Sequence, residues 1–471
     1  MKHTYIFLLF VLICTQIAVA QTELKGKVSD FLKFTPIENA SVYIKNATTG
    51  TISNSDGKFA LVVPAGKEND TLVISSIGYK SFKVPINEFD PKEDIYLEED
   101  IASLDEVIIV ADPRPETGNG VVLKALDKLA SNLPDSSYIQ KGFLRHKERN
   151  KRQYKWLVES ALTVYDSTYA SGARKNLKVN VDETRKSYDL RSIDSLYTYA
   201  AYLKNATRNS SLKSKNLLRD TIATTSLVKA IKWNDTRING LNNLLKGKLN
   251  LVRNAASKGA LFGETILEQH QFLIDTILVD DGRKIYKIEI LPGQEYVGLK
   301  TKDIYNEGFE ARGWMYIYWD NYAIKKIEYE LVAASEIQRR RSKSLFDTDV
   351  NHKLTISYKE FEDKMYLNYI YYETPKLVNV GERSSNQELR DAVDKEEQFY
   401  FTVQEILFTE TILESEIVQQ ALKENDWKGD IFSITPYNED FWKNYNVLLE
   451  SEEEEQLIED LTRQASLFNK Q

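Results

Sequence analysis

The sequence predicts a mainly β fold with accessory helices: an N-terminal seven-stranded sandwich, then an antiparallel meander or half-barrel packed with helices. Three observations predict it. Short strand-like runs separated by turn residues fill 22–98. Period-two runs recur between 284 and 410. Helical spacing is confined to 119–134, 224–258 and the C-terminal stretch. The 471 residues carry 62 Lys+Arg, 70 Asp+Glu, a net charge of −8 and one Cys. The acidic balance argues against nucleic acid as a partner, because phosphate binding needs a basic surface. A lone thiol makes neither a disulfide framework nor a Cys-based zinc ribbon.

Residues 1–20 read as a secretory signal. Lys2 supplies the positive start, Tyr5 to Ile13 the apolar run, and Ala18-Val19-Ala20 the small-x-small site before Gln21. Cleavage between Ala20 and Gln21 removes Cys14, and no later run is long enough for a membrane-spanning helix. Ile13 before Cys14 departs from the small residue of a lipobox. The expected place is the periplasm or the outer-membrane surface.

In 21–99 the strands are read at 24–28, 40–45, 58–64, 71–79, 81–86 and 94–99, within a total of about seven. Seven short strands with regular turns describe a β-sandwich. Gly57 after Asp56 marks a hairpin turn that needs positive φ. The landmarks Gly26, Pro36, Ala40, Val42, Gly50, Asp56, Gly57, Phe59, Ser75, Gly78 and Tyr79 resemble the carboxypeptidase-regulatory-like domain. That resemblance implies a transthyretin-like sandwich in an exported Bacteroidetes protein. Leu104–Ala111 also resembles the stretch that follows this domain in SusC-type TonB-dependent receptors. No plug or barrel pattern comes next, and the last residues, Asn469-Lys470-Gln471, lack the aromatic ending common in outer-membrane barrels, so a receptor of that kind is not expected.

Residues 100–118 read as a linker and 119–449 as an α+β domain. Val122, Ala125, Leu126, Leu129 and Leu133 define a helix ending before Pro134. Gly142, Phe143, Arg145, Tyr154, Glu159, Ala161, Tyr165 and Tyr169 resemble a second Bacteroidetes pattern without assigned function, from which His146 departs. Leu227 to Val252 repeat at helical steps. Strands follow at 284–291, 313–319, 323–331, 352–361, 364–373 and 397–410. Asp280-Asp281-Gly282 reads as a hairpin turn rather than a metal loop. The run GWMYIYWDNYAIKKIEYE resembles the hairpin of LolA-like half-open barrels, which implies a sheet able to hold a lipid or acyl chain. Residues 450–471 form an amphipathic helix opened by a Ser451–Glu454 capping box.

No His-x-x-Glu zinc motif, Gly-x-Ser-x-Gly elbow or phosphate-binding loop occurs. No catalytic residue, metal ligand or cofactor is therefore assigned. Trp314, Tyr316, Tyr318, Tyr369 and Tyr371 are the candidate ligand-binding residues, with core packing as their ordinary role. Arg339–Arg341 reads as a solvated loop between strands, with an anion site as the alternative. Ser195 and Thr221 sit in tripeptides resembling the O-glycosylation site of exported Bacteroidetes proteins. The expected function is a non-catalytic envelope protein: an adaptor sandwich joined to a domain that binds an apolar ligand or a protein partner. The alternatives are a carboxylate-dependent envelope hydrolase and a scaffold for an outer-membrane complex.

Overall fold

A computed structural model of the chain describes residues 22–100, 114–149, 154–187, 196–207, 221–223, 225–227, 229–230, 232–233, 240–299, 308–377, 399–432, 436–452 and 454–455. The signal segment, Ser195 and residues 456–471 lie outside them.

The sandwich has seven strands in two sheets. β1 (Thr22–Asp30), β4 (Lys58–Val63) and β7 (Ile95–Leu97) form one, in the order β4-β1-β7. β2 (Ser41–Ile44), β3 (Gly50–Ile52), β5 (Thr71–Ser75) and β6 (Phe82–Pro85) form the other, in the order β3-β2-β5-β6. Val28, Val42, Ile44, Phe59, Leu61, Leu72 and Ile74 fill the space between. Each such side chain contributes roughly 1.5–3 kcal/mol by leaving water. β5 ends at Ser75, not at Tyr79 as expected, since Gly78 turns the chain with φ +87.

The second unit is one open antiparallel sheet of ten strands. It begins with β8 (Tyr138–Arg149), β9 (Tyr154–Asp166) and β10 (Leu177–Lys186). β11 (His270–Asp280), β12 (Arg283–Pro292), β13 (Phe309–Tyr318), β14 (Ile324–Ala333), β15 (Val350–Phe361), β16 (Lys364–Leu377) and β17 (Phe399–Ile412) run as a meander. The last of these pairs with the first strand of the unit, giving the order β10-β9-β8-β17-β16-β15-β14-β13-β12-β11. Asp281 and Gly282 form the expected two-residue hairpin turn, both with positive φ.

Register assigns every side chain to one of two faces. Ile288, Met315, Ile327, Ile356, Ile370, Ile406 and Leu144 share one face, and all are fully buried. It packs under helix Gly118–Asp127, helix Leu241–Lys246 and the turns to Ile266. The helix expected over 224–258 is interrupted. Gly240 caps the start of Leu241–Lys246, and Gly247 ends it where a Cβ would meet the Asn243 carbonyl at 2.3 Å. Asn250 and Asn254 then hydrogen-bond to the Leu245 and Gly247 carbonyls, bending the chain into turns. β8, β9, β10 and β11 were not expected as strands, although Leu177, Val179 and Val181 alternate.

Candidate ligand cleft

The other face of the sheet is polar, and one lateral row crosses nine of its strands. The paired positions are Glu289, Trp314, Glu328, Thr355, Tyr371, Glu405, Arg145, Glu159 and Arg185. A second row holds Arg312, Glu330, Lys353 and Glu373. Charge at every second residue of a strand is the sequence signal for such a face. Trp314 and Tyr371 were among the expected ligand residues; the charged members of the rows were missed because each strand was read for its apolar positions.

The β-sandwich stands against part of this face. Gly78 N–H donates to the Val279 carbonyl at 2.7 Å, and Lys83 pairs with Asp281 at 2.8 Å. Lys359 Nζ donates to the Ala47 carbonyl at 3.1 Å. Residues 436–452 strap both units. Asn54 donates to the Glu450 carbonyl at 2.7 Å, Val62 N–H to Asn446 Oδ1 at 2.7 Å, and Lys58 pairs with Glu452 at 2.7 Å. On the sheet side, Trp442 and Leu448 pack on Phe143, Tyr369 and Leu407. The expected capping box is present: Glu454 N–H donates to Ser451 Oγ at 3.2 Å, and Ser451 N–H to Glu454 Oε2 at 3.5 Å.

Beneath the strap lies a buried charge network. Arg145 Nε is 3.0 Å from Glu159 and 2.9 Å from Glu450, while its Nη2 donates to the Leu448 carbonyl at 2.6 Å. Arg185 holds the other Glu159 oxygen at 2.6 Å. Lys147 pairs with Glu405 at 3.3 Å and Glu454 at 2.5 Å. Burial works against the Arg145 charge, but Glu450, Glu159 and Glu405 outweigh it and keep the guanidinium firmly protonated. Burial pushes the Glu450 carboxyl up to about 8, only partly offset by Arg145 and Lys147. Glu454 goes the other way: burial raises it, yet Lys147 and Arg145 hold it well below the usual range.

Over the outer strands, between the sheet and the sandwich, a cleft of about 800 Å³ remains. Its floor is Trp314, Glu289, Glu328, Thr355 and Tyr371, and Glu38 and Asn39 of the sandwich form the facing wall. Arg312 pairs with Glu330 at 2.9 Å, and Arg339 with Glu310 at 3.0 Å. Among the described residues, the side chains of Glu38 and Glu289 have no hydrogen bond or ion pair, and Lys353 pairs with no carboxylate.

Of the five expected ligand residues, Trp314, Tyr369 and Tyr371 line this cleft. The ammonium of Lys287 stands 3.8 Å from the Trp314 ring centre. Tyr369 donates to Glu405 at 2.9 Å, and Tyr371 to Glu373 at 2.6 Å. Tyr316 and Tyr318 share the face but lie outside the cleft lining. Tyr316 donates to Glu328 at 3.2 Å, and burial raises its hydroxyl above the usual value. Tyr318 donates to Asp280 at 2.5 Å beneath the Arg283 guanidinium, 3.9 Å away, which is a packing role. The arginine run is not a loop. It lies in helix Glu336–Phe346, where Ser335 precedes a run of good helix formers. Thr221 is exposed. Among the described residues no cluster of three His, Cys, Asp or Glu is placed to hold a metal ion, and no helix is long and apolar enough to cross a membrane.

Among the described residues, one space on the helix-covered face, lined by Leu133, Tyr138, Val164, Tyr358 and Phe408, is about 30 Å³. That is roughly one water's share of liquid volume.

Residues 24–109 match the CarboxypepD_reg-like domain. Over 90 residues, 19% of this chain, the sequence is 36% identical to the TonB-dependent receptor SusC of Bacteroides thetaiotaomicron. The chain spans only 8% of that receptor's length. Among solved structures, a putative outer membrane lipoprotein-sorting protein domain from Vibrio parahaemolyticus covers 64% of this chain and 97% of its own, with 10% identity and a TM-score of 0.21. A LolA superfamily protein from Nitrosomonas europaea covers 64% and 95%, with 9% identity and a TM-score of 0.21.

Proposed function

We propose that this chain is an exported envelope protein, periplasmic or outer-membrane-associated, whose cleft binds a polar segment of a protein partner. The observation that carries the reading is the cleft floor, where Trp314 pairs in register with Glu289 and with Glu328, the latter held by Lys326 at 2.6 Å, and where Glu38 of the sandwich lines the same cleft. An indole flanked by carboxylates offers a surface for stacking and for hydrogen bonds from N–H groups. The signal pattern in 1–20 and the domain match in 24–109 support an envelope location. The sandwich acts as a docked wall of the site rather than as a free spacer. An apolar ligand, the other half of the sequence expectation, is disfavoured by the charged lining of the cleft.

A photo-crosslinking residue placed at Lys353, exposed on the cleft lining, tests this in cells. The expected result is a discrete adduct with an envelope protein that disappears on adding Trp314→Ala. An adduct that survives Trp314→Ala, or none at all, sinks the reading.

One observation favours an enzymatic reading. Glu289 and Glu328 lie two strands apart in one row, and strands 4.7–4.9 Å apart place such residues roughly 9–10 Å from each other. Carboxylates near that separation serve inverting glycoside hydrolysis. Release of soluble sugar from purified envelope polymers, abolished by Glu289→Gln, would replace the binding proposal.

A further inference from the structure

The turn that follows β1 holds three large apolar side chains in water. Phe31 is 48% exposed, Leu32 71% and Phe34 71%, and Tyr96 of β7 beside them is 41% exposed. The Phe34 and Tyr96 rings meet edge-on at 5.8 Å. None of the four belongs to a buried cluster. Single exposed apolar residues are ordinary, but a contiguous group of four marks an interaction surface.

The turn is braced to keep them there. Buried Asp30 accepts the N–H groups of Leu32 and Lys33, both at 2.8 Å, on one carboxylate oxygen. Its other oxygen accepts the Tyr79 hydroxyl at 3.0 Å. Its backbone N–H donates to the Thr35 carbonyl at 2.8 Å, Phe31 N–H to the Leu97 carbonyl at 2.9 Å, and Phe34 N–H to the Asp30 carbonyl at 3.0 Å. Ser29 and Pro36 close the base as a β-bridge. Phe34 is held at φ 56, a left-handed conformation that bulky residues rarely adopt. Strain of that kind persists where surrounding structure fixes it, and it is typical of functional positions.

We propose that this tip inserts into the interfacial layer of a lipid bilayer. Four side chains fall well short of the ~800 Å² per partner of a stable protein interface. A bilayer needs no complementary shape and accepts a small projecting apolar tip. Phe and Leu suit the acyl boundary, Tyr96 the headgroup level, and Lys33 keeps its ammonium at the surface above its own methylenes. The charges beside the tip are matched: Lys33 pairs with Glu99, and Lys80 with Glu98 at 2.9 Å. The preferred surface is therefore zwitterionic, and binding resists salt. This surface is separate from the cleft, so neither proposal depends on the other.

The test is sedimentation of the purified chain, expressed from Gln21 onward, with phosphatidylcholine vesicles. The wild type is expected to pellet with vesicles at 50 mM and 500 mM NaCl alike. The Phe31→Ser/Phe34→Ser variant is expected to lose at least tenfold in vesicle affinity with its melting temperature unchanged, since both side chains are exposed. Three results would overturn the proposal: wild type that stays in the supernatant, a double variant that pellets equally well, or wild-type dimers in ultracentrifugation that the double variant dissolves. The last would make a second copy the occupant.

Discussion

The two faces of the ten-stranded sheet are made by the same strands, yet different forces hold them. On the helix-covered face, Ile288, Met315, Ile327, Ile356 and Ile370 form a continuous apolar layer. On the opposite face, one residue along in each strand, Glu289, Trp314, Glu328, Thr355 and Tyr371 are polar or amphipathic. The first face is closed by burial, which is non-directional and needs no partner geometry. The second is closed under the strap, where the charge network lies beside an apolar patch of Phe143, Leu407, Trp442 and Leu448, and it stays open over the cleft floor. An open polar face next to a closed one is what a binding sheet requires: rigidity from one side and an unfilled surface on the other.

Breaking the strap's charge network is the largest expected effect. Arg145→Ala leaves Glu450 buried without its guanidinium, Glu159 with Arg185 alone, and the Leu448 carbonyl without its donor. Stranding buried carboxylates costs about 3–5 kcal/mol. The loss is expected in urea unfolding, with early proteolytic cleavage within 436–455. Cleavage first in the helix-covered layer would contradict the division of labour between the faces.

On the other face Met315→Ala removes a fully buried side chain from the apolar layer. A loss of about 3 kcal/mol is expected, from lost burial and the cavity left behind. It is expected as a uniform drop in the unfolding midpoint, without selective exposure of the strap in hydrogen exchange.

The pH response separates the faces further. Glu450 is raised to about 8 in the folded chain by burial, above the ordinary value of roughly 4.3 in an unfolded chain. Between those values the folded state holds a proton that the unfolded state has released. Stability from this group therefore falls as pH rises through the window and levels off above pH 8. Amide exchange in 436–455 is expected to be faster at pH 8.5 than at pH 6 after correction for intrinsic rates, by an opening free energy of about 2–3 kcal/mol. Glu450→Gln is expected to remove the difference. A pH-independent strap would show that Glu450 does not titrate in this window and would overturn the prediction.

Much of this architecture was legible, and the gaps have physical causes. Alternation in 284–291 and 352–361 gave β12 and β15 nearly to their ends, because one face of each is apolar and the other polar. The run 138–149 resisted that reading. Arg145, Lys147 and Glu148 are all buried there, so exposure does not follow the polar pattern. Gly240 and Gly247 carried the break in the long helix, but the apolar spacing around them concealed it. The cleft was half visible. Trp314 and Tyr371 stood out as aromatics, while Glu38 joins them only through the docking of a unit far earlier in the chain. That pairing depends on Lys83–Asp281 and on the strap, which are contacts that no local pattern encodes.

The smallest stability effect belongs to Met315's neighbour in β13. Trp314 is half-buried, rests against Lys287 at 3.8 Å, and faces the cleft. Its removal forfeits that cation–π contact and some apolar cover, worth about 0.5–1 kcal/mol at a partly exposed site. No closed cavity forms, because water already reaches the floor. Trp314→Ala is thus expected to shift the urea midpoint several-fold less than Met315→Ala, although the indole is the larger side chain. If the two shifts were equal, the Trp314 face would be packed as tightly as the helix face, and the cleft would not be open to a partner.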